Sequence, residues 1–174
     1  SLMNGVVYSG INNIYDVRSD SGDQIECRIK GKTLKEDEES YNPLAPGDLV
    51  EYEHSGCGKG LIITRQPRTN RFARWNRKRE CWQIIAANLD MVLAVVSAGS
   101  PPFRPRFADR VLIAAGQGNV PASVLVNKAD QGVEPWVLER IEVWRKLGIR
   151  VFLCSAVSGE GIEELKSALS NRTA

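Results

Sequence analysis

The stretch Val124-Leu125-Val126-Asn127-Lys128-Ala129-Asp130 decides how the second half of this chain folds and what it holds. Its apolar start reads as a buried strand that breaks at once into Asn-Lys-x-Asp. Those residue types suit a guanine ring. Guanine presents two adjacent donors, N1–H and the exocyclic amine, and an ionised carboxylate is the acceptor-only group that takes both in a fork. Asp130 is the candidate for that fork. Adenine offers no such donor pair and would leave the carboxylate unpaired, which is where discrimination originates. Asn127 would tie loops together and touch the ring edge, and the Lys128 stem would lie along the ring face. Taken alone, the tetrapeptide is equally the polar loop that follows many strands.

A second motif narrows the choice. Arg150-Val151-Phe152-Leu153-Cys154 is another apolar run, and it ends in Ser155-Ala156 before Val157-Ser158-Gly159-Glu160-Gly161-Ile162. Strand, Ser-Ala, Gly-x-Gly-Ile, helix is the companion guanine motif, in which a backbone N–H meets the base O6. Between the two motifs, Leu138, Ile141, Trp144 and the offset Leu147 recur at helical spacing, predicting a helix over 134–147. Strand, helix, strand at this length is one βαβ unit with parallel strands. Asn127 and Ser155 then lie just past carboxyl ends of strands on one rim, where open α/β sheets bind ligands.

Outward from this unit the pattern extends in both directions. Asp90 to Val96 is a near-continuous apolar run, as expected of a parallel strand covered on both faces. Pro101-Pro102 breaks it, Phe107, Val111, Leu112 and Ala115 mark a helix ending near Gly116-Gln117-Gly118, and a last helix covers Ile162 to Leu169. Three βα units make half a nucleotide-binding sheet and would leave edges exposed, so more chain is expected beyond Ala174.

The first seventy or so residues keep a different period. Short runs at 5–8, 14–17, 24–29, 48–52 and 61–64, with hairpin turns at Asp20-Ser21-Gly22-Asp23 and Gly56-Cys57-Gly58-Lys59-Gly60, predict a five-stranded barrel of the oligonucleotide/oligosaccharide-binding (OB) type. Lys32 to Pro46, with Glu36-Asp37-Glu38-Glu39, has no apolar period and reads as a surface loop. The domain organisation expected is a barrel over 3–66, a basic connector over 67–87 and part of an α/β domain over 88–174.

Charge sharpens the functional classes. The net charge is only +2, yet Arg65, Arg68, Arg71, Arg74, Arg77, Lys78 and Arg79 form a block with no acid, which points to a phosphate-bearing partner. Trp75 and Trp82 are interleaved with it and suit base stacking, although such a block is as readily a solvated connector. No apolar run approaches a membrane span, no signal segment opens the chain, and Ser1-Leu2 ahead of Met3 reads as a cloning remnant. The scattered Cys27, Cys57, Cys81 and Cys154, with His54 the single histidine, give no metal or disulfide framework, and a reducing cytoplasm fits them. His54 is not expected to be catalytic, and Trp136 and Trp144 are expected to pack.

Guanine recognition does not make a GTPase. Phosphates need a cradle such as Gly-x-x-x-x-Gly-Lys-[Ser/Thr]. The superficial candidate Ser55-Gly56-Cys57-Gly58-Lys59-Gly60 lacks the final hydroxyl residue and sits between two barrel strands, so it reads as a turn. Here Asn-Lys-x-Asp follows only the second strand of the α/β part, so the usual GTPase order is rearranged.

The combination of a barrel, Pro67-Arg68-Thr69-Asn70 with Phe72 and Arg74, Ile85-Ala86-Ala87-Asn88-Leu89-Asp90, Pro102-Phe103, Asp109-Arg110, Asn127-Lys128-Ala129-Asp130 and Ser155-Ala156 resembles the circularly permuted GTPases of the RsgA (YjeQ) family. In that family the order is barrel, base-recognition motifs, phosphate loop, switch regions and a zinc-binding helical domain. The resemblance implies that this chain stops before the phosphate loop. Its catalytic residues, Mg²⁺ and structural zinc would then belong to the part that follows, and this chain alone is not expected to hydrolyse GTP. It further implies a monomeric bacterial cytoplasmic protein that binds GTP/GDP at Asn127, Lys128, Asp130, Ser155 and Ala156, hydrolyses GTP and assists late maturation of the small ribosomal subunit. Contact with ribosomal RNA is implied through the barrel, with Lys30, Lys32, Lys59, Arg68, Arg71 and Arg74 as contributors, and no membrane is involved. The alternative is a non-catalytic RNA-binding module with a vestigial nucleotide-binding domain.

Overall fold

The computed structural model describes residues 1–31, 34, 42–99 and 103–174. The acidic run 36–39, Lys32 and Pro101-Pro102 lie outside the described residues. The chain divides into two units, Ser1–Asn88 and Leu89–Ala174.

In the first unit the alternation of apolar and polar residues builds β1 (Met3–Ile11), β2 (Ile14–Ser19), β3 (Gln24–Ile29), β4 (Leu49–Gly56) and β5 (Lys59–Arg65). They close into a barrel in the order β1-β2-β3-β5-β4, with β3 parallel to β5 and every other pairing antiparallel. The two-residue loop Asn12-Asn13 has positive φ at both positions, 52° and 65°, the geometry that Asn tolerates and that matches strand twist. Val7, Tyr15, Val17, Ile25, Cys27, Val50, Tyr52 and Ile62 point inward and, with Leu44, form one buried cluster.

Residues 67–87, expected as a connector, are folded into this unit. β6 (Arg71–Asn76) and β7 (Cys81–Ala87) form an antiparallel hairpin with Trp75 opposite Trp82. Asn76 Oδ1 accepts from the Lys78 and Arg79 N–H groups and shapes the turn. The hairpin is fastened to the barrel segment by backbone-like bonds. Asn42 donates to Ile84 O and accepts from Ile84 N at 2.9 and 3.1 Å, standing in for a strand residue. Ala87 N donates to Pro46 O, and Asn88 Nδ2 donates to Gly47 O, both at 2.9 Å. Gly47 has φ +95°, and a Cβ there would collide with Ala87 O, so only glycine permits this approach.

The second unit contains β8 (Val92–Ser97), α1 (Pro105–Gln117), β9 (Ala122–Asn127), α2 (Pro135–Lys146), β10 (Arg150–Leu153) and α3 (Ile162–Leu169). The sheet is parallel in the order β10-β9-β8. Alternate strand residues cover opposite faces. Ala94, Val96, Val124, Val126 and Val151 pack with Ala108 of α1 and Val137, Ile141 and Trp144 of α2, whereas Phe152 and Cys154, with Leu93 and Leu125, pack on Ala168, Ile162 and Leu165 of α3.

Helix α2 falls where its periodicity predicted, but its buried stripe is Val137, Ile141 and Trp144. Leu138 is half-exposed and Leu147 is 70% exposed, so the expected stripe is one residue out of phase at its start. Trp144 is core, as expected. Trp136 is half-exposed and meets Phe103 edge-on with ring centroids 5.2 Å apart.

Candidate nucleotide-recognition site

Both motifs lie on one rim because their strands are parallel neighbours, with Leu153 of β10 in register with Val126 of β9. The strand ends are then stitched across. Cys154 N donates to Val126 O at 2.9 Å, Ala129 N to Cys154 O at 3.2 Å, and Ala98 N, past the end of β8, to Asn127 O at 2.9 Å. The Asn-Lys-x-Asp loop is thus held from both sides by backbone groups.

Its own shape follows from Lys128, which adopts φ 60° and ψ 34°. A left-handed lysine is strained by about 1–3 kcal/mol unless its surroundings fix it. Asn127 supplies that support, its Oδ1 accepting from Lys128 N at 2.8 Å. The reversal starts a single 3-10 turn, Ala129–Gln131, that turns Asp130 toward the Ser155 loop. Ser155 Oγ–H donates to Asp130 Oδ1 at 2.6 Å.

Ser155 is fully buried and uses every polar group it has. Its Oγ also accepts from Ser158 N at 3.1 Å, its carbonyl accepts from Gly159 N at 2.9 Å, and its N–H donates to Glu160 O at 3.0 Å. Gly161 closes the loop at φ +73°, where a Cβ would strike Leu153 O. Cys154 Sγ–H donates to Gly161 O at 3.5 Å, and burial pushes its pKa up, which keeps that proton in place.

Two groups on this braced rim are unused. Asp130 Oδ2 has no partner among the described residues, and Oδ1 keeps a second lone pair. The exposed Ala156 makes no hydrogen bond through its N–H among the described residues. An acceptor pair and a lone N–H donor on one rim match the two donors and the O6 acceptor of guanine. The five residues expected at the base site, Asn127, Lys128, Asp130, Ser155 and Ala156, are all on this rim. Gly161 and Ser158 stand inside the second motif, but their tasks were not legible there: the need for glycine at 161 lies in a tertiary contact, and the Ser158 N–H fixes the Ser155 hydroxyl. Sequence reasoning missed Ser97 at the end of β8, in register with Asn127; the Ser97 Oγ is buried without a hydrogen-bond partner among the described residues.

The cations expected to face nucleic acid separate into three groups. Arg71 and Arg74 on β6 are exposed and unpaired among the described residues. Lys30 and Lys59 are exposed but paired, Lys30 with Glu53 at 2.8 Å and Lys59 with Glu26 at 3.8 Å. Such surface pairs contribute about 0–1 kcal/mol and exchange readily for other anions. Arg68 corrects the expectation. Its Nε and Nη2 donate to the two oxygens of fully buried Asp48, each at 2.7 Å, and only 9% of its side chain is exposed. Its guanidinium holds the fold together and is not offered to a partner. Lys32 lies outside the described residues.

A family model described as RsgA GTPase matches residues 65–174, and one described as RsgA N-terminal domain matches residues 4–62. The small ribosomal subunit biogenesis GTPase RsgA of Borrelia recurrentis (strain A1) is 39% identical over 163 residues, which cover 93% of this chain and 52% of that protein. The protein of the same name from Chlorobaculum parvum (strain DSM 263 / NCIMB 8327) is 36% identical over 179 residues, covering 98% and 57%. Among solved structures, YjeQ from Thermotoga maritima matches with a TM-score of 0.72 at 26% identity, over 99% of this chain and 58% of that one. YloQ, a circularly permuted GTPase, shares the fold with a TM-score of 0.68 at 22% identity, again over 99% and 58%. The chain spans about half the length of the curated relatives it matches. The barrel followed by the parallel sheet, the Asn-Lys-x-Asp and Ser-Ala motifs on its rim and the two family models together place the chain in the RsgA GTPase family.

Proposed function

We propose that the full-length protein is a GTPase that assists maturation of the small ribosomal subunit, with this chain supplying guanine selection and part of the RNA contact. The observation that carries the nucleotide half is the Ser155–Asp130 bond of 2.6 Å, which orients the carboxylate while leaving its other oxygen empty. Asp130 accepts from N1–H and the exocyclic amine, the Ala156 N–H donates to O6, Asn127 fixes the loop, and the Lys128 stem covers the ring. Bound GTP supplies the scissile phosphoanhydride, and its phosphates, with Mg²⁺, belong to residues beyond this chain. Among the described residues no three His, Cys, Asp or Glu side chains gather to hold a metal ion.

The RNA half is supported by the closed five-stranded barrel, which we read as OB-type, and by Arg71 and Arg74 of the hairpin, unpaired among the described residues, with Lys30 and Lys59 as further phosphate contacts. The protein acts as a monomer in the bacterial cytoplasm, and a zinc site lies in its remaining part. The relatives' names, small ribosomal subunit biogenesis GTPase, support this assignment.

The decisive test is Asp130→Asn in the full-length protein. An amide keeps an acceptor for N1–H and adds a donor suited to the O2 of xanthine, so preference shifts from GTP to xanthosine triphosphate. Competition binding that still favours GTP by the wild-type margin refutes the role of Asp130.

A further inference from the structure

We propose that helix α1 carries an RNA contact of its own, in which Arg104, Arg106 and Arg110 bind backbone phosphates and Phe107 stacks on a base. These four side chains, with Pro105, line a surface concavity of about 590 Å³. All three arginines are exposed, and none makes an ion pair or hydrogen bond with any described residue. The acid within the same stretch does not neutralise them. Asp109 Oδ1 accepts from Trp144 Nε1 at 2.9 Å, and its Oδ2 lies 3.5 Å from Arg140 Nη1, so its carboxylate is engaged by α2.

Helix geometry places Arg106, Phe107 and Arg110 on one face, because residues three and four apart are neighbours. Like charges four apart repel, and the fold gains nothing from them. Phe107 likewise stands outside the apolar cluster of this unit. It is 51% exposed, while Ala108, Val111, Leu112 and Ala115 supply the side of α1 that meets the sheet. A cluster of unpaired guanidinium groups around an open aromatic ring has the chemistry for a polyanion with π faces. Guanidinium forks match phosphate bidentately, and the ring stacks on any base without sequence preference. An acidic protein surface would satisfy the charges but would give Phe107 no stacking partner. The choice of RNA rests on the reading of the whole protein as a small-subunit assembly factor.

The test uses the full-length protein with saturating GDP, isolated small ribosomal subunits and a single-stranded RNA oligonucleotide, titrated across a range of KCl concentrations. The variant with Arg104→Gln, Arg106→Gln and Arg110→Gln is expected to bind both probes about tenfold more weakly at 150 mM KCl, with a log–log salt slope shallower by ~2 for three phosphate contacts. Phe107→Leu is expected to weaken binding several-fold at unchanged slope, because it removes stacking and no charge. All of these positions are exposed, so thermal melts should coincide with wild type. Wild-type affinity and slope in the triple variant overturn the α1 contact while leaving the barrel and hairpin assignment intact. Failure of the wild-type protein to bind either probe overturns both. A benzophenone at position 107 that crosslinks to ribosomal protein and not to RNA also overturns the contact.

Discussion

Asp48 in the first unit and Asp130 in the second are both carboxylates braced by a partner far along the chain, yet they are finished to different degrees. Asp48 is fully buried, takes both Arg68 donors at 2.7 Å and accepts from Ala45 N at 2.8 Å, so nothing remains for a ligand. Asp130 is exposed, takes one bond from Ser155 and, among the described residues, keeps an oxygen free. A saturated carboxylate locks a fold, and a half-saturated one that is already oriented binds. The same contrast separates Arg68 from Arg71 and Arg74 in one basic stretch.

Breaking the saturated member should have the largest effect. Asp48→Ala leaves the Arg68 guanidinium nine-tenths buried without its counter-charge, which costs about 3–5 kcal/mol. Urea denaturation should show that loss in the first unit, and a midpoint equal to wild type would mean the pair is replaceable by solvent. Next comes Gly161→Ala. The new methyl meets Leu153 O at a positive φ, and the backbone strain alone is about 1–3 kcal/mol. Lower thermal stability of the second unit, together with weaker GTP binding by the full-length protein, is expected. Unchanged nucleotide affinity would separate the loop from the site.

Ser155→Ala probes the unsaturated member. It removes the bond that orients Asp130 and leaves Ser158 N–H without its acceptor. Each lost bond is worth about 0.5–1.5 kcal/mol, so GTP affinity of the full-length protein should fall about tenfold or less, with guanine still preferred over adenine. Complete loss of guanine preference would mean that Ser155 itself reads the base.

The sequence exposes most of this architecture because each element needed only local information. Tyr15 and Val17, Ile25 and Cys27, and Val50 and Tyr52 alternate within their own strands, and Asn127, Asp130 and Ser155 follow apolar runs directly. What it hides depends on distant partners. Arg68 looks like its basic neighbours because Asp48 lies twenty residues away across a turn. The β6–β7 hairpin is masked because only Ile84 and Ala87 of its residues are buried, so no apolar period marks it. Its one local signal is Asn76 opening a turn. On α2, Val137 and Leu138 are equally good starts for a helical stripe, and only packing against the sheet selects Val137.

The cysteines give the smallest and most graded version of the same contrast. Cys57 is exposed on the β4–β5 turn, whereas Cys27 and Cys154 are buried in the two units. Burial, with added repulsion from Asp16 and Glu26, moves the Cys27 pKa from 9.0 to about 11, and burial also raises that of Cys154. Thiolate is the reactive form, so at pH 8 a thiol reagent should label Cys57 quickly in the native protein and reach Cys27 and Cys154 only on unfolding. The sign of the pH effect follows from the neutral thiol being favoured in the folded state. Stability from this source is complete below about pH 9 and is lost as pH rises through about 11, because the unfolded chain ionises first. Urea midpoints should therefore be level up to about pH 9 and decline above it, and Cys27→Ala should flatten that decline. Native labelling of Cys27 at the rate of Cys57 would show that the barrel interior opens on the labelling timescale. The closed, saturated character assigned to the first unit would then belong to the Asp48–Arg68 junction and not to the barrel.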